Sequence, residues 1–232
     1  MQIVIIAGGM GTRLRSAVDG LPKSLAPING KPFVEYQINL VRKAGISDIV
    51  LCVGYGADQI MSYLGTGHDL GVNIKYSVED TPLGTAGALE KANTLLGKEF
   101  FVTYGDSYLV LDYSDIAKRF VESETLGLMV VHRNEDKYDR SNVVVHGGKV
   151  VFYSKTERRP DMVFLDHGLT MLSKEAINLI SDDRPCDLSQ LFGRLIQNNQ
   201  LAAYETQHRP YEIGSPKSLE EFREFIEQKE DL

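Results

Sequence analysis

Three stretches of the sequence carry residue types suited to phosphate chemistry. The first is Ala7-Gly8-Gly9-Met10-Gly11-Thr12-Arg13-Leu14. Three glycines in four positions let backbone N–H groups approach an anion closely, because no side chain stands in the way. Arg13 adds a planar cationic fork for phosphate oxygens. Residues 1–34 hold Arg13, Arg15, Lys23 and Lys31 against a single acidic residue, Asp19, in a chain of formal net charge −7. That local excess reads as an anion site, with a tight turn and solvated lysines as the plain alternative. The spacing is not that of a Walker A loop, since no Lys-Ser/Thr follows the glycines. It departs from a dinucleotide fingerprint at Leu14, where a third glycine belongs. The second stretch runs Leu21-Pro22-Lys23-Ser24-Leu25-Ala26-Pro27 and on to Gly30-Lys31-Pro32. Its prolines fix an extended path that holds Lys23 in one place. The third is Gly105-Asp106, a carboxylate where a strand ends. One carboxylate with triphosphate oxygens and water is a common way to hold magnesium, although Asp is also a frequent turn former.

These residues need a scaffold, and the apolar periodicity supplies one. Ile3 to Ile6, Asp48 to Val53, Val72 to Val78 and Phe100 to Thr103 read as buried strands. Between them lie helices over about 33–44 (Phe33, Tyr36, Leu40, Val41, Ala44, ended by Gly45), 57–64 and 85–95. Alternation of this kind predicts right-handed crossovers and a mainly parallel sheet with helices on both faces. The glycine loop then falls beyond the carboxyl end of the first strand, where such sheets bind ligands. The second half reads as more antiparallel. Strands are expected over 126–132, 141–146, 150–154 and 162–171, with a hairpin turn at His146-Gly147-Gly148-Lys149. Helices are expected over 173–180 and 188–198, and short strands over 201–205 and 211–213. Ser215 and Pro216 begin a last helix with Leu219, Phe222 and Ile226 as its apolar stripe.

Composition narrows the function. The chain has 232 residues, 43% hydrophobic and 25% charged, with 25 basic against 32 acidic side chains. A net acidic chain of average hydrophobicity is expected to bind neither nucleic acid nor an anionic membrane in general. No window approaches the roughly 18 uninterrupted apolar residues of a membrane span, and no signal peptide is apparent, so a cytoplasmic protein is expected. Two cysteines cannot build a disulfide framework or a cysteine-rich zinc site, and Cys52 reads as a small buried hydrophobe.

Taken together, Gly8-Gly9-x-Gly11-Thr12-Arg13, Pro22-Lys23-x-Leu25-x-Pro27 and Gly30-x-Pro32 resemble the signature of the sugar-1-phosphate nucleotidyltransferases. The similarity runs in the same order along most of the chain. It is strongest in character to short bacterial members acting on heptose-1-phosphate or N-acetylmuramate-1-phosphate. The resemblance implies a GT-A-like nucleotidyltransferase fold: an α/β, Rossmann-like, mainly parallel sheet flanked by helices, with an inserted smaller antiparallel sugar-binding sheet. It implies a single domain over 1–232 without a C-terminal β-helix. The reaction would be NTP plus sugar-1-phosphate giving NDP-sugar and pyrophosphate, with Mg2+, in cell-surface glycan synthesis. A homo-oligomer is one expectation for its assembly.

The resemblance also assigns residues. Ala7, Gly8, Gly9, Gly11 and Thr12 would line the triphosphate, with Arg13 on the leaving phosphates and Lys23 on the α-phosphate as the catalytic pair. Pro82-Leu83-Gly84-Thr85-Ala86-Gly87-Ala88 matches the family's second loop, so Gly84 and Thr85 would face base and ribose, with Glu79 near the base. Asp106 and Glu212 would hold the metal, and Lys155 the acceptor phosphate. Asp166, His167 and Gly168 would contact the sugar. Three positions depart from pattern: Ser154-Lys155 replaces a Glu-Lys pair, Asp166-His167-Gly168 replaces an Asn-led motif, and Glu212 stands where an Asp is usual. His167 is read as a substrate contact with a packing role beside it, because an acceptor phosphate is already ionised at pH 7 and needs no base. GTP with a heptose-1-phosphate is the preferred pairing. The alternatives are transfer to a non-sugar phosphomonoester such as phosphocholine, a GT-A glycosyltransferase (disfavoured because Gly105-Asp106-Ser107 lacks Asp-x-Asp), and a nucleotide sensor.

Overall fold

The computed structural model describes residues 1–11, 14, 18, 20–137 and 139–230. The strands are β1 (Gln2–Ala7), β2 (Pro27–Ile28), β3 (Lys31–Pro32), β4 (Asp48–Val53), β5 (Asn73–Val78), β6 (Glu99–Tyr104), β7 (Ser107–Tyr108), β8 (Gly127–Arg133), β9 (Val143–His146), β10 (Lys149–Tyr153), β11 (Phe164–Ser173), β12 (Leu201–Thr206) and β13 (Tyr211–Glu212). The α-helices are α1 (Phe33–Lys43), α2 (Ala57–Leu64), α3 (Thr85–Lys91), α4 (Tyr113–Ser123), α5 (Leu188–Gln197) and α6 (Pro216–Glu230). Helix α4 is absent from the periodicity reading. Asp112 caps it by accepting from the N–H groups of Ser114 and Asp115 at 3.1 and 2.9 Å, and Tyr113, Ile116 and Phe120 form its buried stripe. The helix expected over 173–180 is a 3-10 segment, Lys174–Leu179, because β11 continues to Ser173 and leaves little chain for an α-helix. Among the described residues no helix is long and apolar enough to cross a membrane.

Nine strands form one sheet in the order β5-β4-β1-β6-β11-β8-β12-β10-β9. Strands β5, β4, β1 and β6 are parallel. Beyond β6 the sheet is mixed: β11 runs antiparallel to β6 and β8, β12 is parallel to β8, and β10 is antiparallel to β12 and β9. The expected inserted smaller antiparallel sheet is thus the mixed far part of the same nine-stranded sheet. The cause is the length of β11. Its ten residues pair with β6 over Leu169–Ser173 and reach β9 at Phe164. At the β9–β10 hairpin Gly147 and Gly148 both have positive φ, as a two-residue primed turn needs.

Alternation along β1 distributes the core to both faces. Val4 and Ile6, with Val50 and Cys52, pack beneath α3 and α5 through Ala86, Leu89, Leu191 and Phe192. Ile3 and Ile5, with Leu51 and Val53, pack beneath α1, α2 and α4 through Val34, Ile38, Ile60 and Phe120. Cys52 is buried as expected, and burial with the nearby Glu79 charge pushes its thiol up to about 12. A third cluster joins α6 to the base of α1 and to β7 and β13. Phe222 lies 5.1 Å from Phe33 and 5.0 Å from Tyr108, and Tyr211 stacks on Phe225 at 4.1 Å. Those aromatic contacts fix the segment that carries Glu212.

Candidate active site

Strands β1 and β6 are adjacent and parallel, with Ile6 opposite Tyr104, so their carboxyl ends open onto the same rim. Residues 8–11 leave β1 there, and Gly105-Asp106 leaves β6, its Gly105 N–H donating to the Ile6 carbonyl at 2.9 Å. Pro22 leads into a 3-10 turn, Lys23–Leu25, whose buried Ser24 and Leu25 anchor the backbone of Lys23. The Lys23 ammonium donates to Asp106 Oδ2, with each side chain about one-fifth exposed (20% and 23%). Thr12 and Arg13 lie outside the described residues.

Two cavities meet at this ion pair. The smaller, about 190 Å³, is lined by Ala7, Gly9, Gly11, Lys23, Thr85 and Asp106. The larger, about 450 Å³, is lined by Asp106, Asp166, His167, Gly168 and Glu212 among others. Tyr104 and Asp106 line both, so the two are halves of one cleft. Tyr104 escapes sequence reasoning because an aromatic at a strand end looks like core. Burial and the charges of Asp166, Asp187 and Asp106 raise its hydroxyl well above the usual range and keep it neutral.

Glu79 follows β5 and stands behind the glycine loop. Its N–H donates to the Val53 carbonyl at 2.9 Å, and its Oε2 accepts from the Leu83 N–H at 3.2 Å. A Cβ on Gly8 would collide with its carboxylate, so a side chain at that position would displace Glu79. Gly84 does not line the smaller cavity. The helix start at α3 is also less open than expected, because the Ala86 and Gly87 N–H groups donate to the Cys186 carbonyl at 2.9 and 3.2 Å. The Thr85 hydroxyl donates to Asp187 at 3.2 Å and accepts from the Leu188 N–H at 2.7 Å.

Lys155 lines neither cavity. It donates to both oxygens of Asp187, at 2.8 and 3.0 Å, and its charge is felt by Asp166 in the larger cavity. Asp187, which also lines neither cavity, is a partner of Lys155 that the sequence does not announce. It caps α5, accepting from the Ser189 N–H at 2.9 Å, and ties Lys155 to Thr85. Burial raises its carboxyl, but the bonds from Lys155 and Ser189 outweigh that and hold it at about 2. For Asp166 burial wins and raises the carboxyl, against the Gly168 N–H at 3.0 Å, Lys155 and Tyr153.

His167 borders the larger cavity, yet only 2% of it is exposed. One ring nitrogen, Nε2, lies 3.0 Å from the His208 carbonyl, while the buried Nδ1 has no hydrogen-bond partner among the described residues. The ring thereby ties the β11 bulge to the segment leading into β13. Burial lowers its pKa from 6.5 to about 4. Between those values the unfolded chain takes up a proton that the folded chain refuses. This group's stabilisation is therefore complete above about pH 6.5 and is lost as the pH falls to about 4, a change of about 3 kcal/mol. Urea unfolding at pH 4.5 and 7.0 should give a steeper pH dependence for the wild type than for His167→Gln; equal slopes would count against this role.

Glu212 is brought to Asp106 by strand pairing. Glu212 pairs with Ser107 in the β7–β13 ribbon, and the Ile213 N–H donates to the Asp106 carbonyl at 3.0 Å. The Glu212 carboxylate accepts from the Gly214 N–H at 2.8 Å. Among the described residues no group of three or more His, Cys, Asp or Glu is arranged to hold a metal by itself. Two neighbouring carboxylates that depend on substrate oxygens and water for the remaining ligands are the donor set magnesium accepts.

The model of the nucleotidyl transferase family matches residues 2–229. The chain is 33% identical over 178 residues to a D-glycero-alpha-D-manno-heptose 1-phosphate guanylyltransferase of Campylobacter jejuni, covering 77% of this chain and 78% of that protein. It is 30% identical over 226 residues to a mannose-1-phosphate guanyltransferase of Schizosaccharomyces pombe, covering 94% of this chain and 62% of that protein. Among solved structures, HddC from Yersinia pseudotuberculosis superposes with a TM-score of 0.77 at 26% identity, covering 97% of this chain and 99% of that one. With a carboxylate-rich cleft that holds the Lys23 ammonium at the rim of such a sheet, the chain belongs to the nucleotidyl transferase family as a sugar-1-phosphate nucleotidyltransferase.

Proposed function

We propose that the chain works as one nucleotidyltransferase domain that joins GTP to a heptose-1-phosphate, giving GDP-heptose and pyrophosphate. The observation that carries this reading is the Lys23–Asp106 pair on the border between the two cavities. A nucleotide in the smaller cavity and an acceptor in the larger one would bring their phosphates together at that pair. The choice of guanine rests on the names of the relatives and on the complex of HddC with GMP-PN.

The difficulty in this chemistry is repulsion between two anions. An acceptor phosphate oxygen attacks the α-phosphorus in line, the new P–O bond forms, and the bond to pyrophosphate breaks on the opposite side. The residues contribute by positioning and by neutralising charge. Lys23 would shift from Asp106 toward the α-phosphate, the 8–11 amides and Arg13 would hold the leaving phosphates, and Lys155 would orient the acceptor. Asp106 and Glu212 would hold magnesium, which when bound supplies further positive charge to the phosphate oxygens. Asp166 and Gly168 would meet the sugar.

A matrix of the four NTPs against a panel of sugar-1-phosphates, read by pyrophosphate release, tests the reading. The largest kcat/KM is expected for GTP with D-glycero-α-D-manno-heptose 1-phosphate. Release only with UTP, CTP or dTTP, or from no pair at all, would overturn it.

A further inference from the structure

The larger cavity, about 450 Å³, reaches from the end of β6 to the start of α6. Tyr104 and Asp106 are its more buried lining, and the exposed Arg209 and Lys217, with the first turns of α6, form its outer rim. Arg209 stands three residues before Glu212, a span of at most about 10 Å along an extended chain. Its guanidinium pairs with Glu221 Oε2 and lies 5.2 Å from the centre of the Tyr211 ring, which in turn stacks on Phe225. Lys217 approaches the other oxygen of Glu221 at 3.8 Å. Glu221 thus pairs with Arg209 and lies near the exposed Lys217, while the Arg209 guanidinium sits over the Tyr211 ring. Ser218 lines the same rim, and Asp139 and Asn142 line the cavity as well.

Such a rim can recognise a ligand in two ways, and charge decides between them. The cavity is lined by five carboxylates (Asp106, Asp139, Asp166, Glu212 and Glu221) against two cations, Arg209 and Lys217. A second anionic group on the acceptor would meet net repulsion there. Hydroxyl groups both donate and accept, and can satisfy guanidinium and hydroxyl donors together with carboxylate and amide acceptors. We infer that this outer rim is a subsite for a hydroxylated side arm on the acceptor sugar longer than one carbon, with Arg209 as its specificity-determining residue. The inference rests on the proposed sugar-1-phosphate transfer and deepens it: it selects the longer-armed of the two sugar classes named among the relatives.

The test compares three acceptors in wild type and Arg209→Met: D-glycero-α-D-manno-heptose 1-phosphate, mannose-1-phosphate, and mannose 1,6-bisphosphate as the anionic-arm control. Turnover with GTP is measured by pyrophosphate release, and acceptor binding by calorimetry without nucleotide. Wild type is expected to favour the heptose over mannose by at least tenfold in kcat/KM and in affinity, and to discriminate against the bisphosphate. In Arg209→Met the heptose-over-mannose ratio should fall toward one. Where that variant loses the fold, Arg209→Lys, which keeps the charge but not the fork, should show a reduced ratio. Equal use of heptose and mannose by wild type, a ratio unchanged by the substitution, or preference for the bisphosphate would overturn the inference. Should no acceptor release pyrophosphate, the transfer reading fails, and the calorimetric ratio alone decides whether the arm subsite stands.

Discussion

Lys23→Ala should lower kcat by two to three orders of magnitude while the chain remains folded. One preorganised cation aimed at developing phosphate charge is worth about that much in a water-poor site. Lys23 fits the description: its backbone is held by the Pro22 turn, its side chain is four-fifths covered, and its ammonium rests on Asp106 at the border of the two cavities. Removing it should leave the sheet intact, because the buried anchors Ser24 and Leu25 stay in place. The charge-conserving change Lys23→Arg should restore only part of the loss, since a fork cannot occupy the place of a compact ammonium. Steady-state pyrophosphate release on variants checked by circular dichroism decides the matter. Near-normal turnover in a folded Lys23→Ala protein would remove this residue from the chemistry.

Asp106→Asn carries the second large effect, again two to three orders of magnitude in kcat/KM. The amide has nearly the same shape but neither neutralises Lys23 nor offers a charged ligand to magnesium. The companion change Glu212→Gln should cost less, because Glu212 is exposed on a two-residue ribbon whereas Asp106 faces both cavities. Both variants should need more magnesium for half-maximal rate than the wild type. Unchanged rate and magnesium dependence in Asp106→Asn would sink the metal assignment.

Legibility follows sequence distance. The glycine loop, Lys23 and Asp106 are readable because each sits beside a strand whose apolar run announces itself, and the parallel register of β1 and β6 does the rest. Ser215 and Pro216 mark the start of α6 because a cap and an N1 proline are local signals. Asp187 is not readable, since its partners Lys155 and Thr85 lie 32 and 102 positions away. A sequence shows that Ser154 stands where a glutamate is usual, but not that a carboxylate from the start of α5 comes to Lys155 through space. The amides of α3 are hidden for the same reason: helix periodicity says nothing of the Cys186 carbonyl that occupies them. Helix α4 has a legible cap and stripe, Asp112 with Tyr113, Ile116 and Phe120, yet its short apolar stripe between two strands is easily read as loop.

The continuity of the sheet links the two halves of the cleft. Five consecutive residue pairs, from Leu169–Thr103 to Ser173–Glu99, stitch the strand that leads into Asp106 to the strand that bears Asp166. The nucleotide half and the acceptor half therefore share one continuous sheet. The spacing of the two strands that lead into the halves is thus fixed by backbone pairing rather than by a loop contact.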